Sequence, residues 1–363
     1  MGSPSEATRL ADEGYTLLEA ARYDEAYARL VRARELAPTD PLIHYRLGLL
    51  FADTGRPAEA VEALDAALAL QPDNARAHNN RGSALQHLDR EAEAENAFRR
   101  ALDLDPDLEP PYINLGHLLE QRGSVRDAAE LYERAIARGL DAALFGHHIA
   151  AAYGRSTDRA PDSWVRATFD NFAPTFEVKL QELQYDAPRQ LAAMLTAHAA
   201  GPLDLLDLGC GTGLCGVALA PRKRSLVGVD LAPKMLAQAR LRDLYDELHA
   251  SEVHAWLRDA DSARFDAAIA ADVLIYIGVL EELFRDVARV LRVGGWFAFS
   301  TEESPIQDFT LKASGRYAQS QAYIRRIAGS AFSVVAAEPT TIRMESGKPI
   351  AGRLYLLRSN EAR

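Results

Sequence analysis

A short apolar run, Leu203-Asp204-Leu205-Leu206-Asp207-Leu208, opens directly into Gly209-Cys210-Gly211-Thr212-Gly213. Glycine at alternate positions lets a chain turn tightly and brings bare backbone up to a ligand. The residues that follow, about Leu214 to Ala220, suit a helix, whose first N–H groups lack intrahelical partners. Strand, glycine turn and helix start together form a nucleotide-type site. A second apolar run, Ser225-Leu226-Val227-Gly228-Val229-Asp230, ends in an acid 21 residues after Gly209. That acid is placed to accept hydrogen bonds from both hydroxyls of a ribose.

Two ligand classes compete for such a turn. Gly211-Thr212-Gly213-Leu214-Cys215-Gly216 formally matches the G-x-G-x-x-G of dinucleotide sites. Its register is wrong, because the strand ends at Leu208 and the tight turn has to begin at Gly209. Read from Gly209 the pattern is G-x-G-x-G, with Leu214 sixth and the acid Asp207 just ahead. This resembles motif I of class I S-adenosylmethionine-dependent methyltransferases, closest to the type 11/12 grouping and bacterial repeat-fused relatives of it.

The other segments follow in that family's order over about residues 165–358. Asp230-Leu231-Ala232-Pro233-Lys234-Met235 resembles the segment that carries ribose and adenine. Leu248–Leu257 resembles the third strand and its exit, with Ser251, Glu252 and Val253 in place of the usual small-acid-apolar adenine contact. Phe265 to Asp272 resembles strand four, with Ala271 and Asp272 at its carboxyl end. Leu280–Leu291 resembles the next helix, and Arg292 to Ser300 the Gly294-Gly295 turn into strand five. Ser333–Ala336 and Arg353–Leu357 are expected to supply the last strands. The resemblance implies S-adenosylmethionine as cofactor. Its contacts would be Asp207, Gly209, Cys210, Gly211, Gly213, Asp230, Leu231, Met235, Ser251, Glu252, Val253 and Ala271. Cys210 reads as a small turn residue rather than a nucleophile.

Methyl transfer from a sulfonium is an in-line displacement, so positioning matters more than any fixed catalytic group. A base helps only where the acceptor is protonated. Acceptor contacts are expected beyond the ends of strands four and five. Asp272, Tyr276 and Tyr317 are the catalytic candidates, each tyrosine also readable as half-buried packing. Asp272 can instead serve the methionyl ammonium. Glu302 and Arg316 are substrate candidates. The aromatic phrase Thr168 to Glu177 holds Phe169, Phe172 and Phe176. It reads as a packing helix or, in the family's pattern, as a lid over the acceptor.

The elements that must position this site begin only after a different architecture. Gly14, Gly48, Gly82 and Gly116 recur every 34 residues. Ala26, Ala60, Ala94 and Ala128 share that period, as do Ala33, Ala67, Ala101 and Ala135. Leu30, Leu64, Phe98 and Tyr132 fall between them. Pro38, Pro72 and Pro106 close the first three units, and Leu140 stands in the fourth. Small residues belong where two helices approach closely, the large one fills the groove between them, and proline stops the second helix. One such unit cannot bury its own face, so neighbours stack. The pattern resembles the tetratricopeptide repeat (TPR) family over about residues 7–140. In that family the first helix of each repeat lines a groove, where Asn80 and Asn114 share a position and Asn79 lies beside one of them. Such asparagines resemble a ladder that grips an extended peptide; they also read as ordinary surface residues. The equivalent positions in the first two repeats are Asp12 and Arg46.

The fold class expected is therefore α + α/β, a TPR α-solenoid followed by a Rossmann-like, seven-stranded domain. The boundaries read as a tail at 1–6, four repeats at 7–140, a capping helix and linker at 141–162, a helical lid segment at 163–200 and the methyltransferase domain at 201–363. Gly154 to Pro161 is the linker candidate, and helix breaks are expected near Ala173-Pro174 and Ala187-Pro188.

Composition narrows the partners. Residues 1–140 carry sixteen arginines, no lysine and twenty-five acidic residues. That balance disfavours nucleic acid and suits either a solvated helical surface or a basic partner. No apolar run reaches the roughly 18 residues of a membrane helix. The first residues show no secretory pattern, so a cytoplasmic location is expected. Cys210 and Cys215 form no zinc spacing with the nine histidines, and no metal is expected. The His147-His148 pair reads as helix surface.

The reading that follows is a methyltransferase whose TPR array recruits a protein or peptide acceptor. The type 11/12 resemblance favours instead a small molecule, with the repeats used for docking or assembly. A scaffold with a retired enzyme domain is the third reading, against which the intact glycines and Asp230 argue. A nicotinamide-dependent oxidoreductase fails on glycine register.

Overall fold

The computed structural model describes residues 5–20, 22–173, 176–305, 308–345 and 347–360, with Asn171 described in its backbone alone. Most of the expected tail (1–4) and Pro174-Thr175 of the aromatic phrase lie outside the described residues. The chain forms two compact units, Met1–Ala152 and Tyr153–Arg363.

The first unit is all helix. It contains α1 (Glu6–Glu19), α2 (Tyr23–Leu36), α3 (Pro41–Asp53), α4 (Pro57–Leu70), α5 (Ala75–Gln86), α6 (Glu91–Leu104), α7 (Glu109–Gln121), α8 (Val125–Ala137) and α9 (Ala142–Ala152). Local chemistry sets the starts. The carboxylate of Asp40 accepts from the Leu42 N–H ahead of α3, and Asn74 accepts from the Ala77 N–H ahead of α5. The 34-residue columns have a direct steric basis. A Cβ added at Gly14, Gly48, Gly82 or Gly116 would come within 3 Å of Leu30, Leu64, Phe98 or Tyr132 respectively. Those four large side chains are wholly buried. Glycine is thus required because the large residue of the same repeat occupies the space of its side chain.

Helix α9 extends the array by half a repeat, and it corrects one expectation. His147 and His148 are each 2 % exposed rather than on a helix surface. The His148 ring stacks on Tyr132 at 5.1 Å and meets His117 edge-on at 5.1 Å. The face of a last helix must cover the repeat before it, which puts these rings inside. Burial pushes His117 down to about 4 and His148 well below the usual imidazole range, so both are neutral near pH 7.

The second unit starts with α10 (Asp162–Phe172), α11 (Phe176–Glu182) and α12 (Ala187–His198). Alternating elements follow: β1 (Leu203–Leu208), α13 (Leu214–Leu219), β2 (Lys223–Asp230), α14 (Pro233–Leu241), β3 (Glu247–Ala250), α15 (Val253–Asp259), β4 (Phe265–Ala270), α16 (Glu281–Val290) and β5 (Leu291–Glu303). The chain ends with β6 (Phe309–Leu311), β7 (Tyr317–Gln319), α17 (Gln321–Ala328), β8 (Phe332–Glu345) and β9 (Lys348–Ser359). The sheet runs β3-β2-β1-β4-β5 in parallel, then β9 antiparallel to β5 and β8 antiparallel to β9. Helices cover both faces, so the central strands are near-continuous apolar runs. Leu206, Val229, Phe284, Phe297 and Phe299 pack on one face, and Leu191, Leu195, Leu205, Leu226 and Leu356 on the other.

One expectation is extended here and two need correction. The seven strands expected are β1–β5, β8 and β9; among the described residues β6 and β7 add a hairpin to them, with β7 paired to β5 at Glu302 and Glu303. The last two strands are far longer than the apolar runs at 333–336 and 353–357. The outer half of β8 carries Glu338-Pro339-Thr340-Thr341, which lacks an apolar signal yet stays paired to β9. The linker is also shorter than expected. The Gly278 and Val279 N–H groups donate to the Asp158 carbonyl, and the Ala160 N–H donates to that of Tyr276. Residues 157–160 are therefore a strap built into the second unit. The break expected at Ala187-Pro188 falls just ahead of it, since Pro188 sits in the first turn of α12, where a missing N–H costs nothing.

Candidate functional site

Gly209, Gly211 and Gly213 all adopt left-handed backbone, with φ of 64°, 53° and 92°. A side chain at Gly209 would collide with Val273, so this turn admits only glycine. The Cys210 N–H donates to the Val229 carbonyl at 3.0 Å, which ties the turn to the end of β2. Asp230, at that end, fixes the turn a second time. Its Oδ2 accepts from the Gly211 N–H and its Oδ1 from the Ala232 N–H, both at 2.8 Å. Burial raises the Asp230 carboxyl, and these two N–H donors pull it partly back.

Beneath the turn lies Asp207, wholly buried. Its Oδ2 accepts a 2.6 Å hydrogen bond from the Tyr245 hydroxyl, while Oδ1 has no hydrogen-bond partner among the described residues. Burial pushes Asp207 up to about 7. Tyr245 was not legible as a site residue. Its ring fills the space left bare by Gly213, Gly216 and Gly228.

The turn opens into a cavity of about 330 Å³. Of the expected cofactor contacts, Gly209, Gly211, Asp230, Leu231, Met235, Glu252, Val253 and Ala271 line it. Asp207, Cys210, Gly213 and Ser251 do not; they build the wall from behind. The Ser251 N–H donates to the Asp230 carbonyl, and the Glu252 carboxylate caps α15 through the Ala255 N–H. Burial drives the thiols of Cys210 and Cys215 well above their ordinary range, which agrees with a packing role for Cys210.

The cavity's other wall is helical. Phe169, Phe172 and Phe176 line it from α10 and α11. Phe169 meets Phe176 at 6.0 Å and Tyr276 at 5.5 Å, both edge-on. Two polar links hold these helices down. The Asp170 carboxylate accepts from the Lys234 N–H at 2.9 Å, and Glu177 pairs with Arg242. Arg242 also donates to the Thr212 carbonyl at 2.6 Å, so one guanidinium joins the glycine turn to α11.

After β4 the polar groups converge. Asp272 has a left-handed φ of 56°. Its N–H donates to Ser300 Oγ, its Oδ1 accepts from that hydroxyl, and its Oδ2 accepts from Arg343 at 2.7 Å. Arg343, from β8, also pairs with Glu302 and Glu345. Glu302 is 1 % exposed and further held by Lys312 at 2.7 Å. Asp272, Tyr276 and Arg316 line the cavity, together with Tyr185 and Arg343, which sequence reasoning missed. Glu302 and Tyr317 do not line it. Glu302 lies behind the arginines, its carboxylate turned onto them. Tyr317 lies in β7 with its hydroxyl on Thr157 and its ring against Gly278. Burial raises Tyr276 and Tyr317 each to about 12, so neither ionises readily.

In the first unit Asn80 and Asn114 lie on adjacent first helices. The Asn114 amide donates to Asn79 Oδ1 at 3.0 Å and to Ser83 Oγ at 3.3 Å. The Asn80 amide donates to the Tyr45 hydroxyl at 3.2 Å. At the equivalent positions Arg46 pairs with Asp12 at 2.8 Å. No group of three His, Cys, Asp or Glu side chains suited to a metal occurs among the described residues. No helix among them is long and apolar enough to cross a membrane.

Comparison with known proteins fits this geometry. Residues 205–295 match the family described as "Methyltransferase domain". Residues 11–69 and 45–109 match "Tetratricopeptide repeat". The chain thus carries segments that match tetratricopeptide repeats and a methyltransferase domain. Among curated proteins it is 34 % identical over 110 residues to human Methyltransferase-like protein 27, covering 29 % of this chain and 45 % of that protein. It is 30 % identical over 115 residues to the ubiquinone biosynthesis O-methyltransferase of Paracidovorax citrulli, covering 31 % and 48 %. The chain spans less than half the length of these relatives. Among solved structures, the Burkholderia thailandensis 1,6-didemethyltoxoflavin-N1-methyltransferase with bound S-adenosylhomocysteine is 18 % identical. Its TM-score is 0.46, with 57 % of this chain and 94 % of that one covered.

Proposed function

We propose that the chain is an S-adenosylmethionine-dependent methyltransferase acting on a small acceptor, with the repeat array as a docking module. One observation carries the reading: the Gly209–Gly213 turn and the Asp230 carboxylate meet at the mouth of one apolar cavity. Each Asp230 oxygen spends one lone pair on the backbone and keeps another for a ribose hydroxyl. Met235, Leu231 and Val253 offer the apolar wall an adenine needs. The bound cofactor would supply an electrophilic methyl group on a sulfonium.

What this chain supplies is orientation and dryness. Alignment of reacting groups is worth roughly 7–11 kcal/mol at best. Phe169, Phe176 and Tyr276 would exclude water and hold an acceptor's apolar body. Asp272 is held by Ser300 and Arg343, which fixes its carboxylate rather than leaving it free to abstract a proton. Tyr276 has no hydrogen-bond partner for its hydroxyl among the described residues, and it can orient an acceptor oxygen or nitrogen.

The cavity's enclosure under α10 and α11 supports a small acceptor over a protein one. So do the amide groups of Asn80 and Asn114, which are spent on neighbours within the array. The repeats themselves support the second reading, a protein or peptide acceptor gripped by the first unit.

The test uses S-adenosylmethionine labelled on its methyl group, incubated with the protein in a bacterial extract. Label among metabolites, lost with Asp230→Ala, is the expected result. Label in the protein fraction, lost with an Asn80/Asn114 double substitution, would favour the second reading. S-adenosylhomocysteine affinity unchanged by Asp230→Ala would remove the assignment of the site.

A further inference from the structure

The polar groups after β4 are unevenly matched, and the mismatch names a ligand chemistry. All three carboxylates there are turned onto cations. Asp272 accepts from Ser300 and Arg343, Glu302 from Lys312 and Arg343, and Glu345 from Arg316 and Arg343. Arg343 is consequently fixed: three of its nitrogens each meet a different carboxylate, and its side chain is 5 % exposed. The donors on the cavity wall are not consumed in the same way. Arg316 gives one nitrogen to Glu345. Its Nε lies 3.3 Å from Glu302 but is buried with no hydrogen bond formed. Its Nη1 has no acceptor among the described residues. Tyr185 and Tyr276 line the same wall, and neither hydroxyl has a hydrogen-bond partner among those residues.

A wall whose carboxylates after β4 are each paired with a cation, and whose donors are not all used, is completed by a ligand that brings acceptors. The guanidinium is planar and forked, a shape that a carboxylate matches with two parallel bonds. The surrounding surface is apolar, from Phe169, Phe176 and Ile275. We propose that Arg316, with Tyr185 and Tyr276, forms a subsite for a carboxylate of the methyl acceptor. The acceptor is then a small organic acid with an apolar body. Its carboxylate is a handle that orients the molecule, and Arg343 is the positioning residue that holds the carboxylates away from it. This inference rests on the methyltransferase reading and names the substrate class of the same site.

The test uses the full chain and two matched probes, cinnamate and cinnamamide, titrated with and without saturating S-adenosylhomocysteine. Cinnamate should bind about tenfold more tightly than cinnamamide. Arg316→Gln should abolish that preference while leaving cinnamamide affinity and S-adenosylhomocysteine affinity unchanged. Arg316→Lys should retain part of it, as a point charge without the fork. No preference for the acid, including no binding of either probe, overturns the subsite. So does an equal loss for acid and amide in Arg316→Gln. Tighter binding of an extended glutamate-containing peptide than of cinnamate overturns the small-molecule assignment. Failure of S-adenosylhomocysteine to bind strikes the methyltransferase reading instead, because the acid-to-amide ratio is read without it as well.

Discussion

The Tyr245 hydroxyl donates a 2.6 Å hydrogen bond to Asp207, the wholly buried acid beneath the glycine turn. The same ring occupies the space bared by Gly213, Gly216 and Gly228. One side chain thus satisfies the acid and explains three glycines. Tyr245→Phe keeps the ring and removes the bond. It should cost about 1–3 kcal/mol, since a buried acceptor loses its partner. It should also weaken S-adenosylhomocysteine binding by loosening the turn. Chemical denaturation and calorimetric titration check the two effects separately, and an unchanged midpoint would mean the bond is idle.

Asp207 gives a pH dependence with a definite sign. Burial raises its carboxyl to about 7 in the folded state. A raised carboxyl favours the folded protein at low pH, and that advantage is lost as pH rises toward 7. Asp207→Asn does not titrate. Its thermal midpoint should therefore gain on the parent's between pH 5 and pH 8. A gap that stays constant over that range would show that Asp207 is ionised throughout.

Arg242 joins α11 to the glycine turn through Glu177 and the Thr212 carbonyl. Both charged groups are partly exposed, so Arg242→Ala should change global stability by less than about 1 kcal/mol. Its effect should be local. Amide exchange across 176–182 should speed up, and the rate of S-adenosylhomocysteine release should rise with it. Hydrogen exchange read by mass spectrometry distinguishes this from a uniform loss of protection.

In the repeats, Gly82→Ala puts a methyl group into the ring of Phe98. Overpacking of this kind costs about 1–3 kcal/mol. The loss should appear in the unfolding of the first unit and leave S-adenosylhomocysteine affinity untouched. Helix propensity alone would give the opposite sign, because alanine is the better helix former.

The parts of this molecule that repeat, or that follow one another closely, were legible in its sequence. The 34-residue columns carried the array because each glycine answers a large residue sixteen positions later, within one helical hairpin. The turn at Gly209 and the acid at Asp230 were legible because a strand, a turn and the next strand are neighbours in both chain and space. What sequence reasoning missed arrives from afar. Arg343 meets Asp272 across 71 positions, and Tyr245 meets Asp207 across 38. Nothing local marks either one. His147 and His148 were misplaced for a related reason: a polar ring on a closing helix is buried by the preceding repeat, not by its own sequence. The strap at 157–160 looked like a linker because its bonds are made by backbone, to which composition is blind.

The long β8–β9 pair has a consequence for the order in which a nascent chain acquires its parts. Arg343 sits near the outer end of β8, and β8 is anchored to the sheet only through β9, which pairs with β5. The strands that frame the glycine turn, β1, β2 and β4, are complete by Ala270. Domains fold as their segments leave the ribosome. The glycine-turn side of the cavity can therefore form while the opposite side still lacks its fixed arginine. Only when Lys348 to Ser359 has been made does that wall close. A ribosome stalled between β8 and β9 would carry a chain whose glycine-turn wall is built and whose Arg343 wall is not.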